Sequence, residues 1–316
     1  MTCDESGWKS NSLWRITGES LPLRHPSFDF VSKQFLIFGA PAACRTPHRR
    51  KNAGRQVQIR LSLKLDPRLR LSPQRRREQA YAGELPAGFV RLSAVAPSIL
   101  QDIRYAGGHN FVGGPIAGYD AAECILTERA ATALAAVSYD LESEGLGLKV
   151  YDCYRPAGAV ADFAAWANDP NRLEMQAEFY PRVDKVDLFD LGYVASRSGH
   201  SRGSTFDLAI RRLDAAPVGP WKQGDALVDC TLPDSERFAD GILDFGTGYD
   251  CFDVRAHHGA IGISPEATAN REKLATVMAR NGFKLYREEW WHYALAEEPF
   301  PDTYFSFPVT RSSSGP

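Results

Sequence analysis

The sequence predicts an α+β fold, a central antiparallel sheet flanked by helices, in one domain that follows an irregular N-terminal extension. Three observations predict it. Three segments after Leu85 read as helices, the first and third with N-cap residues, and several shorter segments read as strands. The two kinds do not alternate strictly, which argues against a doubly wound parallel sheet.

In chain order, FVRLSAVAPSILQDIRYA (89–106) offers short apolar runs, and the glycine-rich NFVGGPIAGY (110–119) reads as a loop. ILTERAATALAAVSYDLESEG (125–145) predicts the first long helix, with Thr127 as N-cap and Gly145 as a stop. LGLKVYDCYRP (146–156) reads as a buried strand closed by Pro156, and AGAVADFAAWAND (157–169) as a second helix. Residues 170–195 read as loop and short helix, and TFDLAI (205–210) alternates as a strand does. SPEATANREKLATVMARNG (264–282) predicts a third helix: Ser264 is the N-cap, Pro265 takes the first helical position, Glu266 lies in the first turn and Gly282 ends it. FKLYREEWWHYAL (283–295), rich in aromatics, reads as a final strand.

Charge divides the chain. Residues 1–80 hold 16 of the 37 Lys and Arg but only 6 of the 39 Asp and Glu, so the first quarter is basic and the remainder acidic. The basic clusters RTPHRRK (45–51) and RLRLSPQRRR (68–77) lie in a stretch without sustained periodicity, which reads as a solvated extension over 1–85 rather than an arm for nucleic acid or an anionic membrane. The domain itself then spans 86–310, with a flexible tail over 311–316. No apolar run approaches the roughly 18 residues a membrane span needs. KQFLIFGAPAACR (33–45) is too short and too far into the chain for an ordinary export signal, so the location expected is cytoplasmic, with periplasmic export open if translation starts downstream. The six cysteines form no CxxC pair and read as buried or free thiols of a reducing compartment.

Three short stretches carry chemistry together: HSRGSTFD with His200 and Asp207, EEWWHY with Glu289 and His292, and YDCYRP with Arg155. Each has an ordinary alternative: SGHSRGSTFD can be a polar hairpin end, and an arginine before proline can be a simple ion-pair partner. Their complementarity suggests more. Two histidines and one aspartate meet the needs of a catalytic zinc site, about three N and O ligands with one position open for water. Glu289 is then free to take the proton of that water, and Arg155 supplies a fixed cation for the negative oxygen that develops on an attacked carbonyl. The reading makes a geometric demand. On a regular strand residues 289 and 292 face opposite ways, so a bulge or strand end must lie there.

From residue 87 to 309 the chain resembles the VanX-type D-alanyl-D-alanine dipeptidases, zinc enzymes of the D,D-peptidase group. The resemblance runs through DIRYA, NFVGGPIAGY, YDCYRP, GYVASRSGHSRGSTFDL, FGTGYDCFD, RAHH, EEWWHYAL and EPFPDTYFSFPV in order. It implies one Zn²⁺ on His200, Asp207 and His292, Glu289 as general base, and Arg155 stabilising the tetrahedral intermediate. It further implies that Asp250, with Tyr105, receives the ammonium of a free D-Ala-D-Ala and that Ser198 helps hold the dipeptide's polar ends. His257 and His258 are left to a structural role, and Cys153 and Cys251 to packing. Two rivals stand beside this reading: a D,D-carboxypeptidase or other peptidoglycan peptidase with the same ligand set, and a non-catalytic zinc-binding module. Glycopeptide resistance, wall-fragment salvage and D-alanine nutrition would all use the same residues.

Overall fold

The computed structural model describes residues 84–312. The basic clusters, nearly all of the expected extension and the last residues of the tail lie outside the described residues. In the central sheet the order is β2 (Leu100–Gln101), β4 (Leu146–Asp152), β5 (Thr205–Arg212), β7 (His292–Leu295), β6 (Phe283–Leu285), while β1 (Phe89–Arg91) and β3 (Ile125–Thr127) form a separate antiparallel pair. Every pairing in the central sheet is antiparallel except that of β2 with β4 at one edge.

Two of the long helices form where their caps predict. α1 (Leu92–Val95) and α4 (Gln176–Phe179) are single turns; α2 (Glu128–Glu142), α3 (Ala157–Ala167) and α5 (Pro265–Arg280) are the long ones. The Thr127 hydroxyl accepts from the Ala130 amide and the Ser264 hydroxyl from that of Ala267, each satisfying an amide the first turn leaves unpaired. Ala130, Leu134, Val137 and Leu141 bury one face of α2, which packs on β4 and on α5. All seven residues of β4 are buried, the signature of a central strand.

Two irregularities shape the end of the sheet where Asp207 and His292 pair. Val150 pairs with Leu208, yet Asp152 pairs with Asp207, so β4 holds one extra residue at its end. This bulge turns Asp152 onto the same sheet face as Asp207, where regular alternation would have sent it to the other. The second concerns residues 283–295, read as one strand. The chain instead leaves the sheet after Leu285, turns through 286–291 and returns as β7 beside β6. Burial of the two indoles outweighs ladder pairing here. Trp290 stacks on Phe245, with ring centres 4.2 Å apart, and its Nε1 donates to Thr247 Oγ1 at 2.9 Å; Trp291 is buried against Tyr249.

The expectation of free thiols is corrected. Cys124 is bonded to Cys153 and Cys230 to Cys251, with Cα atoms 5.3 and 5.6 Å apart. Partners 29 and 21 residues apart meet through packing of the start of β3 on the end of β4 and of two irregular loops on each other, which chain spacing does not reveal. Disulfides persist in oxidising compartments, so the reducing-compartment reading loses its basis. Among the described residues no helix is long and apolar enough to cross a membrane.

Candidate active site

SGHSRGSTFD folds as a tight turn feeding a strand. Ser198 starts a 3-10 turn over Gly199–Arg202, its hydroxyl accepting from the His200 amide at 3.3 Å. Gly203 ends the turn at φ 80°, where a Cβ would also lie 2.2 Å from the Phe89 ring, so only glycine fits. The chain then enters β5, and His200 is folded back to face Asp207.

β7 delivers the rest. His292 is its first residue and pairs with Asp207 across the ladder, so both side chains leave the same face. Glu289 lies in the turn before it, held by the buried indoles of the next two residues, and its Oε2 is 3.1 Å from His292 Nδ1. The strand end that the sequence reading required is present.

His200 Nε2, Asp207 Oδ1 and His292 Nδ1 form a triangle with sides of 3.4, 3.2 and 3.4 Å. An ion bound tetrahedrally at about 2.0–2.1 Å separates its ligand atoms by about 3.3–3.4 Å, so these three atoms have the spacing of a zinc site's edges. Their chemistry fits as well. His200 Nδ1 donates to the Cys153 carbonyl at 2.8 Å, which leaves Nε2 bare toward the triangle. Asp207 Oδ1 is buried and, despite its two neighbours, makes no well-directed hydrogen bond. Burial works against the Asp207 charge, but His200 and His292 hold its carboxyl far below the usual range. Burial likewise pulls His292 down, and Asp207 with Glu289 outweighs it to push the imidazole up to about 10. The centre is electrostatically built for a cation.

Arg155 is held beside it. Its Nε donates to Asp152 Oδ2 at 2.9 Å, one terminal nitrogen forms an ion pair with the same oxygen at 2.9 Å, and it lies 3.9 Å from Asp207 Oδ2. Asp152 is wholly buried; besides Arg155 it meets His200 Nδ1 at 3.2 Å and accepts from the Tyr119 hydroxyl at 2.6 Å. One carboxylate thus lies against both the far nitrogen of a triangle histidine and the guanidinium. Tyr249 is the other residue that the sequence reading passed over: its hydroxyl donates to Asp207 Oδ2 at 3.0 Å. For Asp152 the signal was an acid inside an apolar buried strand; Tyr249 gave none beyond lying next to Asp250.

Asp250 and Tyr105 meet as well. The Tyr105 hydroxyl donates to Asp250 Oδ2 at 2.7 Å, and Asp250 holds φ 56°, the one positive φ outside glycine among the described residues. Burial and the charge of Asp207 push the Asp250 carboxyl well above its ordinary range, and no ion pair to it is found among the described residues. Together with Ser198, Arg155 and Glu289 these groups line a cavity of about 330 Å³ that holds the triangle. A larger cavity of about 540 Å³ lies over Lys149 and Arg104, but Asp102 and Asp240 already neutralise those cations. His257 and His258 do not join the triangle. The His257 carbonyl accepts from Arg271, and burial followed by Arg271 pushes His258 down to about 4, which accords with a structural role.

Comparison with known proteins now decides the family. The D-ala-D-ala dipeptidase family of peptidase M15 matches residues 86–219 and 220–310. The chain belongs to this family. It is 36% identical over 222 residues to a D-alanyl-D-alanine dipeptidase of Enterococcus faecium, covering 70% of this chain and 98% of that one. A D-alanyl-D-alanine dipeptidase of Streptomyces coelicolor matches at 36% over 221 residues, 70% of this chain and 98% of its own. One from Escherichia coli matches at 30% over 208 residues, 66% and 84%. As a member of the family the chain is a peptidase, and the resemblance read from its motifs holds.

Asp250 supports a prediction that separates stability from binding. A carboxyl raised above its unfolded value of about 3.9 costs folding free energy as pH rises from there through the folded pKa. Asn has no such cost and also tolerates positive φ. Asp250→Asn is therefore expected to raise the Tm at pH 7 and to lose that gain as pH falls toward 4, in thermal melts run across pH. A gain independent of pH would contradict the burial argument.

Proposed function

We propose that this chain hydrolyses free D-alanyl-D-alanine to two D-alanines at a zinc centre held by His200, Asp207 and His292. The observation that carries the proposal is the triangle of donor atoms with zinc-edge spacing and Glu289 Oε2 3.1 Å from one corner. The relatives' names supply the substrate. Zinc bound there would polarise the scissile carbonyl and lower the pKa of the attacking water toward 7.

The remaining work belongs to the chain. Glu289 accepts the water's proton as the bond to the carbonyl carbon forms and returns it to the departing amine. Arg155, fixed by Asp152, donates to the oxygen that becomes negative; burial opposes its charge, but Asp152 outweighs that, so it stays cationic. Asp250, buried and with no ion pair among the described residues, receives the ammonium of the first residue, and the Tyr105 hydroxyl steadies it. Ser198, on the cavity wall, helps hold the dipeptide's polar ends.

Charges for the ends of a short substrate favour the dipeptide over the D,D-carboxypeptidase alternative. Assayed side by side, free D-Ala-D-Ala is expected to turn over at least 100-fold more efficiently than a pentapeptide ending in the same two residues. Preferred cleavage of the pentapeptide would assign the chain to the rival activity. Of the two locations left open by the sequence, cytoplasmic and exported, the disulfides favour the exported one.

A further inference from the structure

We infer that the two disulfides are positioning elements of the site, one for each half: Cys124–Cys153 sets the metal and oxyanion half, and Cys230–Cys251 sets the ammonium half. The inference rests on the functional reading above. Cys153 stands between Asp152 and Arg155, just past the end of β4, and it is its carbonyl that takes the His200 Nδ1 proton at 2.8 Å. Beyond the ladder this strand end is tied by the Tyr154 amide to Ile125, the Arg155 amide to His200, and the disulfide. Cys124, wholly buried, anchors the other side: its amide donates to Gln101 Oε1 at 2.6 Å and its carbonyl accepts from Leu92 at 2.8 Å. A shift of Cys153 would therefore move His200, Asp152 and Arg155 together.

The second bond lies where regular structure is scarcest. Between β5 and α5 the described chain has a single 3-10 turn, over Val254–Ala256, and yet this stretch must aim Tyr249 at Asp207 and Asp250 into the cavity. Cys251 follows Asp250 directly. Its partner Cys230 donates its own amide to the Glu178 carbonyl at 3.0 Å, and its carbonyl accepts from the Gly248 amide at 2.8 Å, so the bond and the Gly248 contact grip the loop on both sides of the left-handed residue.

Both bonds are buried, so thiol–disulfide exchange reaches them when local opening admits a reductant. A dithiol reductant attacks one sulfur, the S–S bond breaks, and two electrons and two protons pass to the cysteines as thiols while the reductant closes to its own disulfide.

The experiment compares the zinc-loaded wild type, Cys124→Ser/Cys153→Ser and Cys230→Ser/Cys251→Ser for kcat, KM and zinc affinity by chelator competition, with the folded fraction set equal from circular dichroism. The first pair is expected to lose at least tenfold in kcat and in zinc affinity with KM within threefold. The second is expected to raise KM for the free dipeptide at least tenfold, keep zinc affinity, and lose most of the preference for the free dipeptide over its N-acetyl form, which has no ammonium. Equal losses in both parameters for both variants, or wild-type constants in either, would overturn the inference. If a variant does not fold, dithiol-treated wild type with its thiols counted by mass replaces it, and unchanged constants there overturn the inference equally. A wild type inactive on the dipeptide would sink the functional reading instead, and the zinc-affinity comparison would still decide the Cys124–Cys153 half.

Discussion

Replacing Glu289 with glutamine is expected to lower kcat on D-Ala-D-Ala by about 10²–10⁴-fold, the range a positioned general base contributes, with KM changed little. Glutamine keeps the shape and the hydrogen-bonding reach of the side chain but takes no proton. The triangle of His200, Asp207 and His292 is untouched, so zinc content should stay at that of the wild type. Steady-state kinetics together with metal analysis check both halves. A variant retaining a rate within tenfold of the wild type would remove Glu289 from the mechanism.

The second large effect concerns Asp152. This carboxylate is wholly buried and carries the Arg155 guanidinium, one edge of the His200 ring and the Tyr119 hydroxyl at once. Asp152→Asn leaves Arg155 with its charge among the Tyr105 and Phe163 rings, each centred 5.0 Å from the guanidinium carbon. Removing one partner of a buried pair costs about 3–5 kcal/mol, and losing the group that orients a ligand histidine costs about 10–100-fold in metal affinity or activity. Urea denaturation and zinc titration of the variant should show both losses. Full zinc affinity with a stability change under about 1 kcal/mol, small beside that range, would show that Asp152 is not the anchor its contacts suggest.

The sequence made the chemistry of the site legible through residue types. A histidine, an aspartate, a Glu-x-x-His pair and an arginine each announce a role, and the order of motifs named the family. Helix caps at Thr127 and Ser264 fixed two of the long helices almost to the residue. What stayed hidden depends on geometry that has no local code. Asp152 reaches the site through a one-residue bulge, and Tyr249 through a loop without regular structure. The turn over 286–291 contains neither Gly nor Pro, so YREEWW read as a continuing strand until the burial of Trp290 and Trp291 was visible. Disulfide pairing is settled by contacts between distant segments, so cysteines that looked like isolated thiols turned out to be bonded next to Asp152 and Asp250.

The proposed mechanism makes dipeptide hydrolysis depend on a zinc ion held by His200, Asp207 and His292, side chains from two strands and a turn. Removal of metal with a chelator, followed by stepwise return of zinc while D-alanine release is measured, tests that dependence most directly. The expected result is loss of activity on removal and a linear recovery that saturates at one zinc per chain, with no zinc-dependent recovery in His200→Ala or His292→Ala. Full activity in the metal-free protein, or recovery in those variants equal to the wild type, would contradict a zinc mechanism at this site.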